Sequence, residues 1–293
     1  MNQHLLQAIA SLAILSSLLS ASHTQALISS SIENTVQIRS ELKNEVYVGA
    51  RNELDTSREL DEKITYTPPS TEIIAKTRAQ VESFDCSTVT DVPQIECEAL
   101  VALYSNTSWV QWWNKTNWLV TTTVDSWFGI TVEDNHVTKI DLSNNNLYGI
   151  LPPEIGDLPS LTHLRLSHNR VTGLIPPELG KLTSLIELDL FRNWCGGEIP
   201  SDLVNLNKLQ VLSLGDNHFS GSIPAWLGDL SNLVSLGLEE NELTGMIPPA
   251  LGNLSNLEVL LLGRNALTGS IPSEIGNLAK LCRLDVEFNQ LSG

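Results

Sequence analysis

Along the second half of the chain, leucines alternate with polar residues in short L-x-L bursts, and each burst runs into an asparagine at constant spacing. The asparagines are Asn145, Asn169, Asn193, Asn217, Asn241, Asn265 and Asn289, 24 residues apart every time. The alternation has the period-2 signature of a strand with one buried face. In LDLFRN (188–193), Leu188 and Leu190 are expected inside, with Glu187, Asp189 and Phe191 outside. The asparagine falls where the strand ends, and its amide supplies two donors and an accepting oxygen to turn backbone groups that lack sheet partners. The later glycine (149, 173, 197, 221, 245, 269, 293) permits positive φ or close backbone approach. The Ile-Pro step and short L-G segment then form the opposite, convex side. One unit is too small to bury its own leucines, so units must stack, and a fixed period of this size predicts a solenoid. Such a stack offers a long open sheet and no enclosed pocket, which points to binding before catalysis.

The frame L-x-x-L-x-L-x-x-N-x-L-x-G-x-I-P over about residues 137–293 resembles the plant-type leucine-rich repeat family. The resemblance implies an α/β solenoid: a twisted leucine-rich repeat superhelix with a parallel β-sheet on its concave face, preceded by a small helical N-terminal cap.

The cap is assigned to 84–136. Asp91-x-x-Gln94 has the spacing of a capping box ahead of an amphipathic helix through IECEALVALY (95–104). Trp109, Trp112, Trp113 and Trp118 follow, then Trp127 in SWFGI. A solenoid needs a terminal unit to close its first core layer, so packing is favoured for these tryptophans over a carbohydrate platform. The WNKTNW at 113–118 and the WFGI at 127–130 also resemble the family's N-terminal cap. That cap often carries a bridge in C-x-W-x-G-V-x-C, but both of its positions are changed here, to Asp125 and Val132.

Ahead of the cap, residues 1–26 hold an apolar run from Leu5 to Leu19, then Thr24 and Ala26 at the −3 and −1 positions, the make-up of a secretory signal peptide. The run is short for a membrane span, which needs ~20 apolar residues, and no later stretch is suited to cross a bilayer. Residues 27–83 read as a charged spacer, flexible or loosely helical, with Ile73, Ile74, Thr77 and Val81 able to share one face of a helix over 71–84. The chain as given is therefore expected to be secreted or at the cell surface.

Four cysteines allow three pairings, and position separates them. Cys86 and Cys97 bracket the start of the cap helix, where a bridge suits an oxidising compartment. Cys195 replaces the leucine after Asn193 and is expected to be a buried, inert thiol, with Cys282 free several repeats away. Sequons at Asn106, Asn114 and Asn253 are candidate glycosylation sites in a host that uses them.

The chain carries no phosphate loop, H-E-x-x-H, G-x-S-x-G or paired C-x-x-C. Its histidines, among them His163 and His168, are spread along the chain and read as solvated side chains, not metal ligands. No enzyme activity, metal or cofactor is expected. A formal net charge of −17 argues against nucleic acid and accommodates a cationic or polar partner more readily.

Stacking in register sets equivalent positions in rows about 4.8 Å apart. The first row is Lys139, His163, Glu187, Val211, Ser235, Val259 and Arg283; the second is Asp141, Arg165, Asp189, Ser213, Gly237, Leu261 and Asp285; the third is Ser143, Ser167, Phe191, Gly215, Glu239, Gly263 and Glu287. The early units alternate in charge, so Asp141, Arg165 and Asp189 are expected to pair across strands. The later units have a floor of small and aliphatic residues, including exposed Val211, Val259 and Leu261, with Phe191 and Phe288 flanking it. Exposed aliphatic rows suggest contact with a partner. The candidate ligand-binding residues are Glu187, Asp189, Phe191, Val211, Ser213, Ser235, Gly237, Glu239, Val259, Leu261, Arg283 and Asp285.

The function expected is a secreted or cell-surface module binding a protein or peptide on its concave sheet, with carbohydrate as a further candidate partner. The alternative is the truncated ectodomain of a leucine-rich repeat receptor kinase; enzyme inhibition and ice binding rank lower, since ice binding calls for a regular Thr-rich array. The last unit stops at Gly293 without a cap over Leu281, Leu284, Val286 and Leu291, which carries the expectation of a longer product or a paired open end.

Overall fold

The structure, a computed structural model, describes residues 81 and 83–292. The signal peptide at 1–26, nearly all of the 27–83 spacer, and all but the last positions of the helix expected over 71–84 lie outside the described residues. Each L-x-L burst forms a short strand, and these align into one eight-stranded sheet made of Ile130–Glu133, His136–Asp141, His163–Arg165, Glu187–Asp189, Val211–Ser213, Ser235–Gly237, Val259–Leu261 and Arg283–Asp285. The first two pair antiparallel through Asp134 and Asn135, whose φ values of 52° and 64° suit a type I′ turn. Every later pair is parallel with a 24-residue offset, as in Glu187 beside Val211 and Ser235 beside Val259. The three rows read from the period are thus real neighbours.

A second set of seven short parallel strands, from Tyr148–Ile150 to Gln290–Leu291, runs along the flank. Here the later glycine takes positive φ, for instance 82° at Gly221. On the convex side each Ile-Pro proline precedes a 3-10 turn, such as Pro177–Lys181. The glycine of the L-G step is required by close approach: a Cβ on Gly180 would lie 2.3 Å from the Asp202 carbonyl oxygen of the next unit. Between these three sides lies a column of leucines with no exposed surface, among them Leu164, Leu188, Leu212, Leu236 and Leu260. On the last strand the equivalent Leu284 is 40% exposed.

The asparagine column holds the turns. Asn217 Oδ1 accepts the Cys195 N–H at 3.0 Å, while its Nδ2 donates to the carbonyls of Leu190, Leu214 and Gly215 at 2.9, 3.2 and 3.0 Å. Asn193, Asn241, Asn265 and Asn289 repeat this set. Asn169 also donates to the preceding unit, and its Oδ1 accepts from both Asn145 N and Leu147 N. Asn145 turns toward the cap instead: it accepts from Asn114 N at 2.7 Å and donates to the Asn114 carbonyl at 2.8 Å.

The cap is built on helix α1, Gln94–Asn106. Asp91 does not form the expected capping box. Pro93 occupies the N-cap without a side-chain bond, and the Asp91 carboxylate instead accepts from Val124 N and Asp125 N at 3.0 and 2.9 Å, tying the approach to the helix to the turn ahead of Trp127. Buried Trp112 and Trp118 pack against Tyr104, whose ring stacks on Trp118 at 5.3 Å, and buried Trp127 packs on Trp118 at 5.0 Å from its ring. Trp113 is exposed. Cys86 and Cys97 form a disulfide; Cys195 is a buried free thiol and Cys282 an exposed one. Where the family's second bridge would stand, Asp125 Oδ1 accepts the Val132 N–H at 3.0 Å, a hydrogen bond in place of the covalent link. Glu96, almost fully buried on α1, clamps the cap to the first repeat strand: it contacts His136 Nδ1 at 2.6 Å and accepts the Val137 N–H at 2.8 Å.

Candidate ligand-binding face

The concave sheet brings the twelve candidate residues onto one surface. Ten stand on its strands, and Phe191 and Glu239 follow two residues past a strand end. The surface has two chemically distinct halves.

In the first half the charged pairing differs from the expected one. Arg165 makes a two-pronged contact with Glu187, Nε to Oε1 at 2.9 Å and Nη2 to Oε2 at 2.6 Å, and approaches Asp141 at 3.6 Å; no Asp189 pair forms. The longer glutamate on the adjacent strand reaches the planar guanidinium with both oxygens, which the shorter Asp189 is less able to do. Asp189 instead accepts the Phe191 N–H at 3.0 Å. Burial raises its carboxyl above the ordinary range, and the hydroxyls of Ser167 and Ser213 and the Phe191 N–H oppose the rise. His163 and His168 are both pushed toward the neutral form, chiefly by burial. His163 lies 2.8 Å from the Thr162 hydroxyl, and His168 packs edge-on against Phe191. Among the described residues no three metal-capable side chains gather.

In the second half Val211, Ser213, Ser235 and Val259 are part-exposed, in agreement with an accessible floor. Leu261 is not: it is only 4% exposed, and Gly215, Gly237 and Gly263 are buried as well. The Glu239 side chain lies over Gly215 and Gly237, and the Asp285 carboxylate lies over Gly263. A Cβ on Gly215 would fall 2.7 Å from Glu239 Cδ, and one on Gly237 would fall 3.0 Å from Oε2. That oxygen is buried and has no hydrogen-bond partner. Burial, then Glu240 and Asp285, push the carboxyl up to about 7 against the opposing pull of its own backbone N–H and Arg283.

Phe288 stands exposed at the rim, off the strands. It belongs to a further row immediately before the asparagines, Asn144, His168, Arg192, Asp216, Glu240, Arg264 and Phe288, every member of which has φ between 51° and 56°. Left-handed backbone swings these side chains to the rim, where Arg192 lies 3.9 Å from Asp216, Arg264 lies 3.6 Å from Glu240, and the Arg264 guanidinium covers the Phe288 ring at 4.8 Å. The sequence signal for this rim is weak, because only Asn144, His168 and Asp216 are residue types enriched in that conformation. Of the sequons, Asn106 and Asn253 are exposed, whereas Asn114 is half-buried with its Oδ1 accepting from Thr116.

An open parallel sheet held by an internal asparagine column defines a repeat solenoid of the leucine-rich class. Leucine rich repeat models match residues 135–194, 208–230 and 231–291. Pollen Receptor Kinase 3 is 31% identical, with 67% of this chain and 95% of that chain covered and a TM-score of 0.57. The chain belongs to the leucine-rich repeat family. The ectodomain of the Arabidopsis receptor kinase HAESA, solved with an N-terminally extended IDA peptide hormone ligand, is 32% identical over 67% of this chain and 33% of its own, with a TM-score of 0.61. A plant ice-binding protein is 27% identical over 69% of this chain and 73% of its own, with a TM-score of 0.62. Leucine-rich repeat protein 1 of Arabidopsis thaliana is 50% identical over 40 residues, or 13% of this chain and 18% of that protein. The chain thus spans less than a fifth of that curated relative and about a third of the HAESA chain. No helix among the described residues is long and apolar enough to cross a membrane.

Proposed function

We propose that the chain is an extracellular recognition module that binds an extended peptide along its concave sheet, centred on Phe191, Val211, Ser213, Ser235 and Val259, and that it has no catalytic role. One observation carries this reading. Small and aliphatic side chains stand in register on neighbouring strands, part-exposed and bounded by charge on either side, so a ligand backbone has a shallow track with an aromatic anchor at one end. The peptide hormone bound to the HAESA ectodomain supports the same ligand class. A receptor-type ectodomain is one setting in which such a module operates. The irregular, charged rows of this face disfavour the ice-binding use.

The test is to pan a random linear-peptide display library against the full chain. Enriched peptides are then measured on the Ser213→Trp/Ser235→Trp variant, whose indoles fill the track. Ser235 is preferred to Gly237 because a side chain at 237 would strike Glu239. Binding should be lost while the circular dichroism of the sheet is kept. Peptides that bind the folded double variant as they bind the parent place recognition elsewhere and refute the concave reading.

A further inference from the structure

A carboxylate laid across a glycine floor, with one oxygen out of water and without a donor, is an incomplete interaction. Buried polar groups are ordinarily paired, and an exception calls for a reason. Glu239 is long enough to stand in solvent, as the exposed Glu287 of the same row does. Gly215 and Gly237 leave a trough on which it rests, and Glu239 Oε2 has no protein donor. Of the charged groups around it, Glu240 and Asp285 are acidic and Arg283 is basic, so the surroundings do not neutralise it.

We propose that Glu239 is the acidic subsite of the concave face, which takes a cationic group of the ligand, a guanidinium or ammonium, onto its carboxylate above Gly215 and Gly237. This rests on the concave reading and specifies the chemistry of its ligand. A guanidinium supplies the donors that Oε2 lacks and cancels the charge that burial penalises. The absence of side chains at 215 and 237 is what lets the Glu239 carboxylate lie down against the sheet. The carboxyl titrates near neutrality, so a cationic ligand binds the ionised form above that point and meets a neutral acid below it. By reciprocity, bound cation must lower the carboxyl's own midpoint.

The experiment uses the full chain with carboxyl-labelled glutamate, the Glu239 resonance being assigned by its loss in Glu239→Gln. The probes are N-acetyl-arginine amide and its neutral isostere N-acetyl-citrulline amide, titrated by NMR at pH 5 and pH 8. The expected result is a Glu239 midpoint near neutrality that falls with the arginine probe, and about tenfold tighter arginine binding at the higher pH, which is the affinity change linked to a one-unit fall in the midpoint. The citrulline probe should leave the resonance in place, Glu239→Gln should lose the pH dependence, and Glu287→Gln should keep it. An arginine probe that binds Glu239→Gln as it binds the parent, or that leaves the Glu239 midpoint unmoved, overturns the assignment. If library peptides still depend on the 213/235 track in that case, the groove stands and only its charge preference is refuted; if no peptide depends on the track, the groove reading fails whatever Glu239 does.

Discussion

Replacing Glu96 by alanine should unfasten the cap from the first repeat. The carboxylate sits 1% exposed between α1 and the strand His136–Asp141, accepting the N–H of fully buried Val137 and contacting His136 Nδ1. Alanine leaves that N–H without an acceptor, a desolvation cost of about 1–3 kcal/mol. It also opens a void where the glutamate stem packed, at a further cost of about 1 kcal/mol. His136 adds little, since its side chain is 41% exposed and rehydrates once released. The total is about 2–4 kcal/mol, and a nearest-neighbour array confines it to the cap and the first repeat. Glutamine keeps an oxygen for Val137 and offers an amide to His136, so it should cost only about 1 kcal/mol. Urea unfolding followed by tryptophan fluorescence reports the cap, because Trp112, Trp118 and Trp127 are buried there; circular dichroism reports the sheet. In Glu96→Ala the fluorescence midpoint should fall ahead of the dichroism midpoint. Coincident, unshifted midpoints would refute the clamp, and a glutamine variant as damaged as the alanine one would move the weight from hydrogen bonding to charge.

Asn217→Ala removes four backbone contacts at once and should destabilise the array by about 2–4 kcal/mol, visible as faster hydrogen exchange in the units on either side. A thiol reagent at mildly alkaline pH should modify Cys282 quickly and leave Cys195 untouched until unfolding, since burial pushes the Cys195 thiol up to about 12. Because the Glu239 carboxyl is raised from 4.5 to about 7, the native state holds the extra proton between those values. Its stabilising effect is therefore complete below the ordinary carboxyl range and is lost as pH rises through about 7. At most about 3–4 kcal/mol is involved, less whatever the side chain recovers by swinging into water. Glu239→Gln should flatten that slope in unfolding measurements taken between mildly acidic and mildly alkaline pH, and an unchanged slope would show that the carboxyl ionises without penalty.

How much was legible beforehand follows from the range of each interaction. A period of 24 with L-x-L and asparagine at fixed places determines the sheet, its register and its core, because period-2 alternation sets which face is wet and constant spacing leaves one way to stack. The asparagine column and the positive-φ glycines follow from the same pattern, since each is a local demand of one turn met by one residue type. What lies between side chains on different strands was not contained in it. The pattern places Arg165, Asp189 and Glu187 on one face, but side-chain length decides that Arg165 takes Glu187. It marks Gly215 and Gly237 as an open floor, yet Glu239 folds over them and Leu261 is lost from the accessible surface. It suggests a capping box at Asp91, while the chain's path through the cap brings the N–H groups of Val124 and Asp125 nearer. Alternation along a strand is a property of backbone geometry and is written in the order of residues. The choice among neighbours a few ångströms apart depends on reach, rotamer and desolvation, and these are settled only when the units are stacked.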